Sequence, residues 1–145
     1  MYQKILLCYD GSAEGRRALK QGADVVMAMK ARVHLLAICP NMLVNAVPEA
    51  VTPQLISAEQ DAAKSLLNEG VKWLRDRGVE AQGSLVYGDP LVHIPKAALE
   101  VGADLVVVGY RPRSRLARWW SENEEVTLLH KLDCSILVAV EPPAP

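Results

Sequence analysis

One segment, residues 104–109, restricts the folds open to this chain more than any other. Its sequence is DLVVVG, with four apolar residues in succession from Leu105 to Val108. A strand with one solvent-exposed face alternates apolar and polar residues, and this segment does not alternate. A strand without alternation is covered on both sides, as in the middle of a parallel sheet. The fold therefore needs a layer of helices on each side of a sheet.

Strand-like and helix-like segments alternate along the whole chain. Short apolar runs predict the strands, which are Lys4–Tyr9, Arg32–Cys39, Val79–Tyr87, Asp104–Gly109 and Ser135–Val140. This alternation predicts right-handed crossovers and an α/β fold with one parallel sheet and helices on both faces. The 145 residues suit a single domain, with its core over about residues 3–140 and a Pro-rich tail at 141–145.

Four helices are predicted between the strands. The first covers Ala13–Lys30, and the last covers Glu122–Leu132. The second carries an apolar stripe that begins at Leu55 and Ile56, with Gly78 just past its end. The third begins with Asp89 as N-cap and a proline at its first position.

Charge and composition exclude several classes of protein. A formal net charge of −1 gives no overall field that favours nucleic acid. The apolar runs are too short to cross a membrane, and the N-terminus lacks the features of a signal peptide, so we expect a cytoplasmic protein. No metal site is expected either, because the cysteines and histidines lack ligand spacing; they are Cys8, Cys39, Cys134, His34, His93 and His130.

Ligands of parallel α/β sheets bind at the carboxyl ends of the strands, where the strand order reverses. The segments that follow the first and fourth strands, residues 10–12 and 109–123, are therefore where a site is expected.

Several motifs in order resemble the universal stress protein family over nearly the whole chain. They are KILLCYDGS at the first strand, LLAICP at the second, Gly88-Asp89-Pro90 before the third helix, and DLVVVG followed by a basic segment and DCSILVAV. The resemblance implies a flavodoxin-like or Rossmann-like sheet of five strands in the order 3-2-1-4-5.

The resemblance also implies a candidate nucleotide site. ATP-binding members carry G-x2-G-x9-G-[ST] after the fourth strand, and here the four positions hold Gly109, Pro112, Glu122 and Asn123. Asp10 matches the residue that contacts the nucleotide, and Ile38 matches the position whose backbone meets the adenine. The residues themselves favour a structural role for Asp10, as the turn residue that ends the first strand, because the phosphate half of the site is altered. The candidate site residues are Asp10, Ile38, Gly88, Gly109, Arg111 and Asn123.

The substitutions weaken a phosphate loop in two ways. Pro112 has no backbone N–H to donate, and its ring fixes the φ angle. A glycine at this position would supply an N–H donor and could adopt a wider range of φ angles. Glu122, Glu124 and Glu125 would lie in the first turn of the last helix, where their charge satisfies the helix dipole and repels a triphosphate. We therefore expect no bound cofactor, with ATP disfavoured and AMP better tolerated because it carries less charge.

The segment after the fourth strand is rich in arginine and tryptophan. Exposed residues of these two types are enriched at protein interfaces, so the segment is a candidate partner-binding surface. For the arginines the favoured interpretation is a solvated loop that is partly paired with the glutamates, and an anion or partner site is the alternative. For the tryptophans the alternative is that one packs against the sheet and the other covers an arginine side chain. The residues are Arg113, Arg115, Arg118, Trp119 and Trp120. The favoured function is a non-catalytic regulatory protein that binds an unidentified protein partner, and the alternative is a nucleotide switch or slow ATPase.

The last strand is a candidate dimer interface. An apolar strand at a sheet edge is usually covered or paired. Resemblance to the family implies a homodimer in which the last strands of two copies pair antiparallel. The interface candidates are Ser135, Ile136, Leu137, Val138, Ala139 and Val140.

Restoring the loop residues tests this interpretation of the loop. We predict that Pro112→Gly combined with Glu122→Gly and Asn123→Ser raises the affinity for ATP, because it returns a backbone donor and removes a carboxylate. Isothermal titration of parent and triple variant measures the change. An equal affinity in the two proteins would show that these residues do not limit binding.

Overall fold

The computed structural model describes residues 2–10, 13–39, 47–110 and 124–140. Its strands are β1 (Lys4–Tyr9), β2 (Arg32–Cys39), β3 (Ala81–Tyr87), β4 (Leu105–Tyr110) and β5 (Ser135–Val140). Its α-helices are α1 (Ala13–Met29), α2 (Pro53–Arg75), α3 (Pro90–Val101) and α4 (Glu124–Lys131). A short 3₁₀ helix over Pro48–Ala50 precedes α2.

The five strands form one parallel sheet in the order β3-β2-β1-β4-β5. This confirms the flavodoxin-like fold and the predicted strand order. The first strand of the chain is the middle strand of the sheet, and the chain adds strands first on one side of it and then on the other.

The sheet separates two apolar cores. Alternate residues of β1 and β4 point to opposite faces, so Leu7 and Val107 join one core while Leu6 and Val106 join the other. Helices α1 and α2 cover the first core, and α3 and α4 cover the second. The unbroken apolar run of the fourth strand is therefore buried on both faces, as the sequence predicts.

Two glycines let helices approach the sheet closely. A Cβ at Gly22 of α1 would lie 2.6 Å from Leu7 Cδ2, and a Cβ at Gly70 of α2 would lie 2.5 Å from Leu35 Cδ2. Any side chain at either position would push its helix away from the sheet or displace a core leucine. These glycines are needed for packing.

Asp104 fastens the start of β4 to the start of β1. Its carboxylate accepts hydrogen bonds from the backbone amides of Gln3, at 2.8 Å, and Lys4, at 3.1 Å. Its own amide donates to the Lys4 carbonyl at 2.9 Å. Asp104, which the sequence predicts as the first residue of the fourth strand, thus lies just before β4 and joins it to the start of β1 through hydrogen bonds.

The structure corrects some helix predictions. Leu55 and Ile56, which the sequence places in the apolar stripe of α2, are exposed, and the buried positions begin at Ala63. Helix α2 ends at Arg75, and a further turn separates it from Gly78, which has a φ of 80°. Within the described residues the last helix covers Glu124–Lys131, so it ends one residue before the predicted end at Leu132.

Side chains cap the second and third helices at their N-termini. The Thr52 hydroxyl accepts a hydrogen bond from the Leu55 amide at 3.1 Å, and the Asp89 carboxylate accepts one from the Leu91 amide at 2.9 Å. Each cap satisfies an amide that has no partner within the helix. The prediction that Asp89 begins α3 is confirmed.

Removal of the α3 cap should measurably destabilise the fold. We predict that Asp89→Ala lowers the free energy of unfolding by about 1 kcal/mol, because one helix amide loses its acceptor. Asp89→Asn is the matched control, since its side-chain oxygen can accept the same bond. Urea denaturation of the three proteins measures the difference. Equal losses in both variants would mean that charge rather than capping sets the effect.

Candidate functional site

The pairing of β1 with β4 stops short of the carboxyl edge of the sheet, and this is where folds of this class have their ligand crevice. The paired positions of these two strands end at Leu7 and Val107. On their outer sides both strands stay paired further, β1 with β2 as far as Tyr9 and β4 with β5 as far as Tyr110. The two central strands therefore separate near their ends. This is the point where the strand order reverses, the usual ligand site of such sheets.

Two candidate residues lie side by side at this edge. The register pairs Tyr9 with Ala37, so the next residues of the two strands, Asp10 and Ile38, are neighbours. Asp10 directly follows β1 and is 6% exposed, and Ile38 of β2 is 3% exposed within the core under α3 and α4. A buried carboxyl group and a buried apolar residue thus lie next to each other at the carboxyl edge of β1 and β2.

Gly88 shapes the turn that leads from β3 into α3. Its φ of 116° is a conformation that side-chain-bearing residues rarely adopt, which explains glycine here. Its amide donates to the Cys39 carbonyl at the end of β2, at 3.0 Å. His93 strengthens the turn through a hydrogen bond of 2.8 Å between its Nε2 and the Tyr87 carbonyl. The turn therefore holds the N-terminus of α3 close to the ends of β2 and β3.

Gly109 lies on β4 and is buried. It belongs to the stretch of β4 that extends past the last pair with β1, so it borders the crevice. The structure thus brings Asp10, Ile38 and Gly109 to one edge of three neighbouring strands, with Gly88 beside them. The other candidates lie outside the described residues; they are Arg111, Arg113, Arg115, Arg118, Trp119, Trp120 and Asn123.

Cys8 and Cys134 are poor nucleophiles. Burial raises the pKa of the Cys8 thiol far above its ordinary value. Burial also raises the pKa of Cys134, with smaller contributions from the carboxylates of Asp104 and Asp133. A thiol with a raised pKa holds little of the reactive thiolate at neutral pH. None of the three cysteines forms a disulfide bond.

The described residues contain no group of three or more His, Cys, Asp or Glu side chains that could hold a metal ion. None of the helices in the described ranges is long and apolar enough to cross a membrane.

His34 lies on β2, where its Nε2 is 2.8 Å from the Ser84 hydroxyl. Burial, and secondarily the charge of Lys4, lowers its pKa, so the ring is neutral at neutral pH.

A second concave region, which the sequence does not predict, lies on the other face of the sheet. It is a cavity of about 360 Å³ between α1 and α2. Its lining comes from β1 and both helices, and positions up to 64 apart in the sequence, from 9 to 73, meet there. No motif or short-range spacing in the sequence identifies these residues as lining one cavity. The sequence feature that points toward it is an isolated tryptophan, Trp73, near the end of the long helix.

Comparison with known protein families matches residues 1–139 to the universal stress protein family. The universal stress protein YxiE of Bacillus subtilis strain 168 is 25% identical to this chain over 146 residues, which cover 95% of this chain and 99% of that protein.

Solved structures of the same family share the fold. A universal stress protein in complex with cAMP aligns with a TM-score of 0.67 at 21% identity, over 96% of this chain and 97% of the other. The universal stress protein from Archaeoglobus fulgidus in complex with dAMP aligns with a TM-score of 0.62 at 19% identity, over 94% and 97%.

Proposed function

The chain belongs to the universal stress protein family, and we propose that it is a non-catalytic, regulatory member that acts by binding another protein. In this proposal it works in the cytoplasm, as a homodimer, and holds ATP weakly. The main support is a difference between the two halves of the candidate site, the part that would bind the nucleoside and the part that would bind the phosphates. The candidate nucleoside residues come together at one edge of the sheet, while the segment that would hold the phosphates lacks the glycines of the family's motif.

The nucleoside half is supported by the described geometry. Asp10 and Ile38 adjoin the crevice, and Gly109 borders it from β4. The segment after β4 that would hold the phosphates differs from the family's motif in its residue types. Pro112 removes an amide donor, and Glu122 brings a carboxylate to a position where the family's motif has glycine. A nucleoside group therefore meets suitable surfaces, and a triphosphate meets fewer donors and more negative charge.

The proposed partner-binding residues follow β4 in the sequence. They are the arginines and tryptophans from Arg113 to Trp120, and β4 ends at Tyr110. Arginine and tryptophan are the residue types that most often dominate binding energy at interfaces.

A nucleotide switch is the second candidate function. Relatives of the same fold form complexes with cAMP and dAMP, each of which carries a single phosphate. One phosphate brings less charge toward the glutamates than three, and Arg111 could pair with it. In this alternative a nucleoside monophosphate enters the crevice and changes the neighbouring partner surface.

Isothermal titration with ATP and with AMP separates the two functions. Under the favoured proposal, titration with either nucleotide up to about 1 mM produces no heat of binding. Such a result means a dissociation constant above about 1 mM, which corresponds to less than roughly 4 kcal/mol of binding free energy. Micromolar binding of AMP would instead establish the nucleotide switch. Mass spectrometry of the purified protein first verifies that no nucleotide is already bound.

If AMP binds, the variant Asp10→Asn tests whether it binds in the crevice. Loss of the carboxylate should weaken AMP binding by about tenfold, as expected for one hydrogen bond to a charged group. Asp61→Asn, on the exposed side of α2, is the matched control and should leave the affinity unchanged. Equal effects of the two variants would argue against the crevice as the nucleotide site.

The proposed homodimer forms through β5. This strand is the outermost of the sheet next to β4, so its other side faces away from the described fold. Val138 of β5 is 39% exposed although it is apolar. Pairing of the two last strands would continue the sheet across the dimer and cover this edge.

A charge on β5 should dissociate the dimer. We predict that Val138→Asp gives a monomer at micromolar concentration, because two like charges would face each other across a paired edge. Leu99→Asp is the matched control, since Leu99 lies on α3 and is 81% exposed. Analytical ultracentrifugation measures the masses. A dimer that survives Val138→Asp, or dissociates equally with Leu99→Asp, would contradict pairing through β5.

A further inference from the structure

We propose that the cavity between α1 and α2 is a binding site for a small aromatic carboxylate, separate from the crevice. The cavity lies on the face of the sheet covered by α1 and α2, and its volume of about 360 Å³ suits a small ligand. Its lining residues are Tyr9, Arg16, Leu19, Lys20, Glu69, Gly70 and Trp73.

The apolar part of the cavity favours a flat ring. Tyr9 of β1 and Leu19 of α1 are buried core residues, and Trp73 of α2 is half-buried against the same core. The Arg77 guanidinium lies over the Trp73 ring, 3.6 Å from its centroid, which holds the indole in place. The indole of Trp73, held in this way, can stack on an aromatic ligand without first becoming ordered.

The rim of the cavity favours one negative charge. Arg16 and Lys20 lie one turn apart on α1, and Glu69 lies opposite on α2. Two cations and one carboxylate leave a single positive charge to be balanced. A carboxylate monoanion supplies that balance, whereas a nucleotide with several negative charges would be repelled by Glu69.

Arg16 can bind a ligand without giving up its present partners. One terminal nitrogen of its guanidinium donates to Glu69 Oε2 at 3.1 Å, and the guanidinium also donates to the Tyr9 hydroxyl. A guanidinium has five N–H donors in a fork that matches a carboxylate, so donors remain for a second anion. Lys20 makes no ion pair with the described residues and offers a further charge.

Tyr9 adds a polar group at the inner end of the cavity. Its hydroxyl donates to Glu69 Oε2 at 3.5 Å, a long contact that a ligand oxygen could replace. Burial raises the pKa of this phenol, so the hydroxyl keeps its proton and remains a donor at neutral pH.

A titration followed at Trp73 tests the proposal. The chain has three tryptophans, so an ¹⁵N-labelled sample gives three indole N–H signals, and Trp73→Phe identifies one of them. The probe is 2-naphthoate. We expect it to shift the Trp73 signal with a dissociation constant on the order of 0.1–1 mM, a normal value for a ligand of this size. Naphthalene-2-methanol, which lacks the charge, should bind more weakly.

Variants on the two helices supply the controls. Lys20→Gln should weaken naphthoate binding about three- to tenfold, because an exposed charge-assisted hydrogen bond is lost. Lys64→Gln removes an exposed lysine of α2 that does not line the cavity, and it should change nothing. Three results would each overturn the proposal: no Trp73 shift at about 10 mM probe, equal binding of the neutral analogue, or shifts confined to the other two indoles.

Discussion

Burial of β1 and β4 on both faces is the constraint on which the rest of the structure depends. Every residue of β1 from Ile5 onward is buried, and so is β4 from Leu105 to Gly109. Each large apolar side chain contributes about 1.5–3 kcal/mol when it leaves water, so these strands require helices on both sides. Charged groups cannot lie within such strands without partners. They lie at the strand ends instead, Asp104 before β4 and Asp10 after β1.

The sequence predicts what depends on local order and misses what depends on distant contacts. The bounds of β1, β2 and β5 follow directly from their apolar runs, and so the edge that carries Asp10 could be located. Leu55 and Ile56 were misassigned because periodicity identifies a face of a helix and not what covers it. The cavity went unpredicted because its residues meet only after α2 packs beside α1. Interpretation of segment 111–123 depends on family resemblance, and that segment lies outside the described residues.

The crevice and the cavity meet at the end of one strand. Tyr9 and Asp10 are consecutive, yet Tyr9 lies in the core under α1 and α2 and lines the cavity, while Asp10 adjoins the crevice. The two regions also differ in the charge they suit. The rim of the cavity suits a single negative charge on an aromatic ligand, and the glutamates after the crevice disfavour an accumulation of negative charge. The carboxyl end of β1 is therefore where events on the two faces could influence each other.

The pairing of β1 with β4 has a consequence for synthesis of the chain. The first five elements, β1 to β3, can assemble from neighbouring segments, but the second side of β1 is closed only by Leu105–Val107, and Asp104 reaches back 101 positions to bond Gln3. Until those residues leave the ribosome, β1 has an open edge, although five of its six residues are buried in the finished fold. Its completion is a late, long-range event, and such events are slow and expose the chain to aggregation. Protection of that edge during translation thus falls to chaperones or to rapid emergence of the final third.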